Sequence, residues 1–158
     1  TLLENVRLPL EEFTDLPGEA MDAIAAAKLK LVQLEGFEHF LPAEISGGMK
    51  KRAAIARAMA LDPPILFLDE PSAGLDPITS AELDQTILTL AGALGTTFVI
   101  VTHELASIYA IADRVVMLDG RSHGIAAIGA PEALRDHAKD AWVRRFFRRE
   151  VEPMGDNP

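Results

Sequence analysis

The 158-residue chain contains no cysteine. This removes disulfides, thiolate metal ligands and a cysteine nucleophile from consideration. No apolar stretch reaches the roughly 18 residues that a membrane-spanning helix needs. The opening residues, Thr1-Leu2-Leu3-Glu4-Asn5, offer neither the charged segment nor the long apolar segment of a secretory signal. Nor does the sequence open on Met, as expected of a chain cut from something longer, though processing or a choice of numbering gives the same start. No Gly-x-x-x-x-Gly-Lys-Ser/Thr occurs anywhere, so these residues contain no phosphate loop of that kind. Positive charge is scarce: 15 Lys and Arg stand against 24 Asp and Glu, a net charge of −9. That balance argues against a protein that holds nucleic acid by bulk electrostatics, while leaving room for a local basic patch.

What is present suits one domain or most of one. The apolar fraction is 49% and the charged fraction 25%, both ordinary for a globular chain. Residues 1–44 read as mostly helical, broken at Pro17-Gly18. Met21, Ile24, Ala27, Leu31 and Leu34 recur at helical spacing, with Gly36 as a stop and Pro42 closing the segment. A second helix is predicted from Ser46, as N-cap, to Leu61, ended by Asp62-Pro63-Pro64. Ile65 to Asp69 is a short apolar run and reads as a buried parallel strand. Pro77 suits the first turn of a helix that runs to about Ala93 and ends at Gly95. Thr96 to Thr102 reads as a second buried strand, and Leu105 to Ala112 as a short helix. Arg114–Leu118 and Gly124–Ile128 read as antiparallel strands joined near Gly120. Helices from Pro131 and from Asp140 to Glu150 follow, and then a frayed tail. Strand–helix–strand alternation predicts an α/β fold with a parallel sheet, whose ligands sit off the carboxyl ends of the strands. Asp69-Glu70 and His103 both fall at such ends.

Three segments carry candidate chemistry. Ser46-Gly47-Gly48 opens a helix: glycines admit close approach, and free N–H groups with a positive dipole end suit a phosphate. A plain helix cap explains the same residues equally well. Met49-Lys50-Lys51-Arg52 adds positive charge, a pattern that usually marks a solvated helix face. Asp69 can hold Mg²⁺, often through water, because that ion keeps part of its hydration shell. Glu70 can orient and deprotonate an attacking water. The competing reading is a strand that ends in two solvated acids before Pro71. Ser72-Ala73-Gly74-Leu75-Asp76-Pro77 reads as a tight loop with Asp76 capping the next helix. His103 can donate a hydrogen bond to a phosphate oxygen. His39, His123 and His137 lack comparable context. Trp142-Val143-Arg144-Arg145-Phe146-Phe147-Arg148-Arg149 reads as a helix that packs its aromatics while its arginines stay wet, with a membrane-surface or docking role as the alternative.

In order and spacing, Ile45-Ser46-Gly47-Gly48-Met49, Ile65-Leu66-Phe67-Leu68-Asp69-Glu70 and Val99-Ile100-Val101-Thr102-His103 resemble the C-terminal half of an ABC-type ATPase. The resemblance covers residues 40–130 strongly and the rest loosely. It implies a P-loop NTPase-like α/β domain, here incomplete, with a helical subdomain remnant over 1–44, an ATPase core over 45–130, C-terminal helices over 131–150 and a tail over 151–158. It also implies ATP and Mg²⁺ as ligands. Ser46, Gly47, Gly48 and Met49 would face the γ-phosphate of ATP held by the opposite subunit, although Met49 stands where the family usually has Gln. Asp69 would serve Mg²⁺, Glu70 the attacking water, and His103 the γ-phosphate. The loop containing Asp76 would cross the dimer interface. The run from Pro42 to Arg52, with the ending Trp142 to Phe147, looks like the ATPases of Mla-type, MCE-associated lipid transport. That similarity implies a head-to-tail second ATPase subunit, a membrane permease and an MCE-type substrate-binding protein as partners, at the cytoplasmic face of a bacterial inner membrane, and no nucleic acid. Two alternatives are an ABC-type DNA-repair or chromosome ATPase and a non-catalytic interaction module. The absence of long heptads speaks against the first, and the intact Asp69, Glu70 and His103 against the second.

Overall fold

In the computed structural model, which describes residues 1–120 and 123–151, caps and prolines divide the chain close to where the sequence places its breaks. Two compact units result, Thr1–Thr102 and a second from His103 onward.

The first unit begins with helices α1 (Leu2–Phe13), α2 (Gly18–Leu31) and, after a 3₁₀ turn at Pro42–Glu44, α3 (Gly47–Ala58). These three pack on one another. Leu2, Val6 and Leu10 form the buried stripe of α1 at successive turns. In α2 the buried positions are Ala25, Lys28 and Leu29, not the Met21–Ile24–Ala27–Leu31 face that the apolar spacing suggests. Leu31 is exposed, and Lys28 is buried because its ammonium pairs with Asp62, just beyond α3. The helix also stops short of Leu34. Gln33 takes a left-handed φ of 61°, and the Leu34 N–H donates back to the Leu29 carbonyl at 2.9 Å.

The chain then forms strand β1 (Ile65–Asp69), helix α4 (Pro77–Leu94) and strand β2 (Thr97–Val101). β1 and β2 pair in parallel, with Ile65 opposite Thr97 and Asp69 opposite Val101. The α4 helix starts on Pro77 and ends on Gly95 at φ 65°, a left-handed cap that glycine takes without a Cβ penalty. It buries Leu83, Ile87 and Leu90.

The parallel pairing is as the sequence predicts, but the strands are not buried on both sides. Leu66 is 4% exposed, whereas Phe67 is 74% and Val101 60% exposed. Strand alternation puts Ile65, Phe67 and Asp69 on one face with their partners Thr97, Val99 and Val101. Within the first unit that face has no layer over it. An apolar run reports that a strand can be buried; it does not report whether both faces have neighbours.

The second unit holds α5 (Leu105–Ile111), an antiparallel hairpin of β3 (Val115–Asp119) and β4 (Gly124–Gly129), then α6 (Pro131–His137) and α7 (Ala141–Arg148). Ile108, Met117, Leu134, Val143 and Phe147 form its core, with Trp142 and Phe146 packed against it. The aromatics of α7 are thus packing residues, as the sequence suggests. Its arginines are less wet than expected: the Arg144 guanidinium donates to the Ala138 and Lys139 carbonyls, and Arg148 Nε to the Arg135 carbonyl at 3.1 Å. The expected turn near Gly120 lies partly outside the described residues, and the tail from 152 wholly so.

An exposed apolar sheet face of this kind favours self-association. The 158-residue chain is expected to sediment as oligomers, and Phe67→Lys with Val101→Lys to shift it toward monomer. A monomeric parent chain in sedimentation velocity would count against this.

Candidate functional site

The site residues of the first unit gather where three chain segments meet: the start of α3, the end of β1 and the start of α4. Ser46 caps α3, its Oγ accepting the Met49 N–H at 3.2 Å. Asp76 caps α4 more completely. Its Oδ1 accepts the Ile78 and Thr79 N–H groups at 3.0 and 3.1 Å, and its Oδ2 accepts the Thr79 hydroxyl at 2.6 Å. The Thr79 hydroxyl, with the two backbone donors, holds the Asp76 carboxyl below the usual carboxylate range. A carboxylate depressed in this way contributes its stabilisation above its unfolded value and loses it only as pH falls through the lowered one. Both carboxylate oxygens of Asp76 therefore serve the helix cap.

The two helix starts touch. A Cβ built on Gly48 would lie 2.4 Å from Thr79 Cγ2, and one on Gly47 3.4 Å from Leu75 Cδ2. Gly48 is buried while Ser46 and Gly47 are exposed. The second glycine is thus required by close packing of α3 against α4, whereas Ser46 and Gly47 remain open to a ligand. Thr79 is the residue that sequence reasoning missed here. Its signal was its position three residues after the Asp76 cap.

Asp69 and Glu70 follow one another but sit differently. Asp69 is exposed at the end of the uncovered sheet face, and its carboxylate makes no hydrogen bond or ion pair with the described residues. Glu70 is half-buried and takes φ 44°, in the left-handed region. For a non-glycine residue this conformation costs on the order of 1–2 kcal/mol and persists only where the surroundings impose it. Its N–H donates to the Val101 carbonyl at 2.8 Å, extending the β1–β2 ladder by one bond. Its carbonyl accepts the Ala73 N–H at 3.1 Å and the Lys51 ammonium at 3.3 Å. The basic run after Met49 is therefore not a uniformly solvated face. Lys51 reaches Glu70, and the Arg52 guanidinium lies 3.4 Å from Gln33 Oε1.

Among the described residues, no group of three or more His, Cys, Asp or Glu could enclose a metal ion. A Mg²⁺ ion that keeps several waters and takes its other oxygens from a bound phosphate needs only one such carboxylate. The unengaged Asp69 fits that requirement. His103 lies just beyond β2, exposed, as the first residue of the second unit. Ser72, within the loop that leads to Asp76, is 1% exposed, and its hydroxyl finds no partner among the described residues.

Comparison with known proteins gives a consistent picture. A family model described as ABC transporter matches residues 1–73. The chain is 41% identical over 146 residues to the intermembrane phospholipid transport system ATP-binding protein MlaF of Escherichia coli strain K12, covering 92% of this chain and 53% of that protein. It is 36% identical to the glycine betaine transport ATP-binding protein OpuAA of Bacillus subtilis, covering 92% of this chain and 34% of that one. The chain thus spans about half the length of MlaF and about a third of OpuAA. Among solved structures, a dimeric post-hydrolysis state of the ATP-binding cassette MJ0796 bound to ADP and Pi superposes with a TM-score of 0.68. The sequence identity is 34%, and the match covers 82% of this chain and 56% of that one. The cbiO1 protein of Clostridium perfringens, part of an ABC transporter complex, gives a TM-score of 0.78 at 26% identity, covering 87% and 53%.

The seam between the helix starts yields a direct test. Gly48→Ala should destabilise the fold by about 1–3 kcal/mol through overpacking. Thr79→Ser, which removes the offending methyl and keeps the hydroxyl on Asp76, should restore most of that loss in urea unfolding. Equal stability of Gly48→Ala and the parent would show that the seam is looser than described.

Proposed function

As the chain belongs to the ABC-transporter ATP-binding family, we propose that it supplies the signature and acid-pair half of an ATP site in a transport ATPase. The phosphate-cradling half comes from sequence outside these 158 residues. The observation that carries this reading is the meeting of an open Ser46-Gly47 helix start, an unengaged Asp69 and a constrained Glu70 within one unit.

Two subunits pair head to tail, each presenting Ser46, Gly47, Gly48 and Met49 to the γ-phosphate of ATP bound on the other. The exposed Ser46 hydroxyl and the free N–H groups of the first α3 turn supply donors there. The Met49 N–H donates to Ser46 Oγ, so Met49 serves the site by holding the cap of this helix. Asp69 would hold Mg²⁺, which when bound would neutralise phosphate charge. Glu70 accepts the proton of the attacking water, and His103 steadies the terminal phosphate. Asp76 keeps its loop in shape through the α4 cap, so that the loop can run along the subunit interface. Positioning and charge stabilisation account for most of the rate in phosphoryl transfer.

The similarity to MlaF, named for intermembrane phospholipid transport, supports lipid or related hydrophobic cargo; a membrane permease and an MCE-type substrate-binding protein are the partners proposed with it. Among the described residues no helix is long and apolar enough to cross a membrane. From the resemblance to Mla-type ATPases, the subunit is proposed to bind its permease peripherally on the cytoplasmic face of the inner membrane.

Two measurements test the reading. In the intact ATPase subunit, Glu70→Gln should lower turnover by at least about 10²-fold while leaving MgATP binding in place. Near-normal turnover would remove Glu70 from the role of base. The 158 residues alone should show no measurable MgATP hydrolysis; turnover by the short chain would mean that its phosphates are held by groups other than those named.

A further inference from the structure

We infer that Lys51 is a positioning residue for Glu70, tying the helix that receives the γ-phosphate of one ATP to the backbone of the base that acts on the other. This rests on the reading of Glu70 as the general base.

Four observations converge on it. First, Glu70 stands at φ 44°, a conformation its own preferences do not favour. The direction in which its side chain leaves the backbone therefore depends on how its two peptide groups are held. Second, those groups are held from three sides: Val101 takes the N–H, while Ala73 and Lys51 both donate to the carbonyl oxygen. Two of these anchors are backbone groups that the strand ladder and the following turn provide in any case. Lys51, by contrast, contributes a side chain, and it reaches Glu70 from the α3 helix.

Third, the ammonium is spent in an unusual way. The unit to which it belongs is rich in carboxylates, yet Lys51 makes no ion pair among the described residues and donates instead to a neutral carbonyl. It is half-buried, unlike its exposed neighbour Lys50. At 3.3 Å the ammonium lies within hydrogen-bond reach of the Glu70 carbonyl, and its positive charge favours that oxygen. Fourth, Lys51 lies on the same rigid helix as the proposed phosphate donors. Gly47 and Lys51 are about 6 Å apart along the α3 axis, at ~1.5 Å per residue. Gly48 packs against Thr79 with no room for a methyl, so the start of α3 cannot slide independently of α4. Movement at Ser46-Gly47 when a nucleotide arrives is passed through this helix to the Glu70 carbonyl. Each subunit thereby gains a mechanical link between the half-site it offers to its partner and the half-site it completes for itself.

The test uses the intact ATPase subunit assembled with its permease. Lys51→Met should lower kcat by about 10- to 100-fold, the scale expected when a reacting group is displaced by about an ångström, with KM for MgATP within about twofold. Lys51→Arg, which keeps a charged donor, should recover most of the rate. Lys51→Gln provides an uncharged donor of intermediate effect if the methionine variant folds poorly. In a Glu70→Gln background, where the base is already gone, Lys51→Met should change neither MgATP binding nor the residual rate. Three results would overturn the assignment: a Lys51→Met kcat within twofold of the parent, equal losses in Lys51→Arg and Lys51→Met accompanied by a lowered Tm, or a further loss in the Glu70→Gln background. If Glu70→Gln alone turns over normally, the base assignment fails. If Glu70→Gln is inactive while Lys51→Met is normal, only the role given to Lys51 falls.

Discussion

The parallel ladder between Ile65–Asp69 and Thr97–Val101 is the constraint on which the site depends. Parallel strands end at the same edge, so the residues that leave β1 and β2 emerge together. The ladder also supplies the Val101 carbonyl that receives the Glu70 N–H. A slip of one residue would turn Asp69 to the opposite face and remove that acceptor from Glu70. The seam between α3 and α4 acts as the second fixed point, because Gly48 and Thr79 leave no freedom in how the two helix starts approach. The residues of the proposed site hang between these two supports rather than on any one loop.

Local chemistry was legible in the sequence to the extent that it is decided by neighbours in the chain. Ser46, Asp76, Pro77 and Gly95 each mark a helix boundary by their own side-chain or backbone requirements, and each does so in the structure. The apolar runs correctly mark two strands, and their order around α4 correctly marks a parallel pair. What could not be read was anything decided by a residue far away in sequence. Lys28 is buried because Asp62 is there to meet it. Gly48 is glycine because of Thr79, thirty-one positions on. Lys51 belongs to a basic run that looks solvated until Glu70 is placed beside it. The exposed face of the sheet is the same lesson in reverse, since an apolar pattern records a demand for burial and is silent on who satisfies it.

The second unit shows how an ambiguous motif resolves through packing. Trp142, Phe146 and Phe147 belong to a core shared with α5 and the hairpin, and the Tyr109 hydroxyl donates to the Phe147 carbonyl at 3.0 Å. Two of the arginines spend donors on carbonyls near the end of α6, where the helix leaves acceptors without internal partners. Basic residues interleaved with aromatics therefore build this helical pair, and the pattern needs no membrane to explain it.

On the proposed reading of Glu70 as the base, its left-handed backbone sets function against stability at a single position. Glycine there would adopt φ 44° without the Cβ penalty and relieve on the order of 1 kcal/mol of strain, while abolishing the carboxylate. A β-branched residue would meet the opposite fate and lose on both counts. Selection for robustness alone would drift this site toward glycine or asparagine. With Glu70 in the proposed role of base, the strain at this position would be the cost of keeping a carboxylate where glycine is the more stable residue.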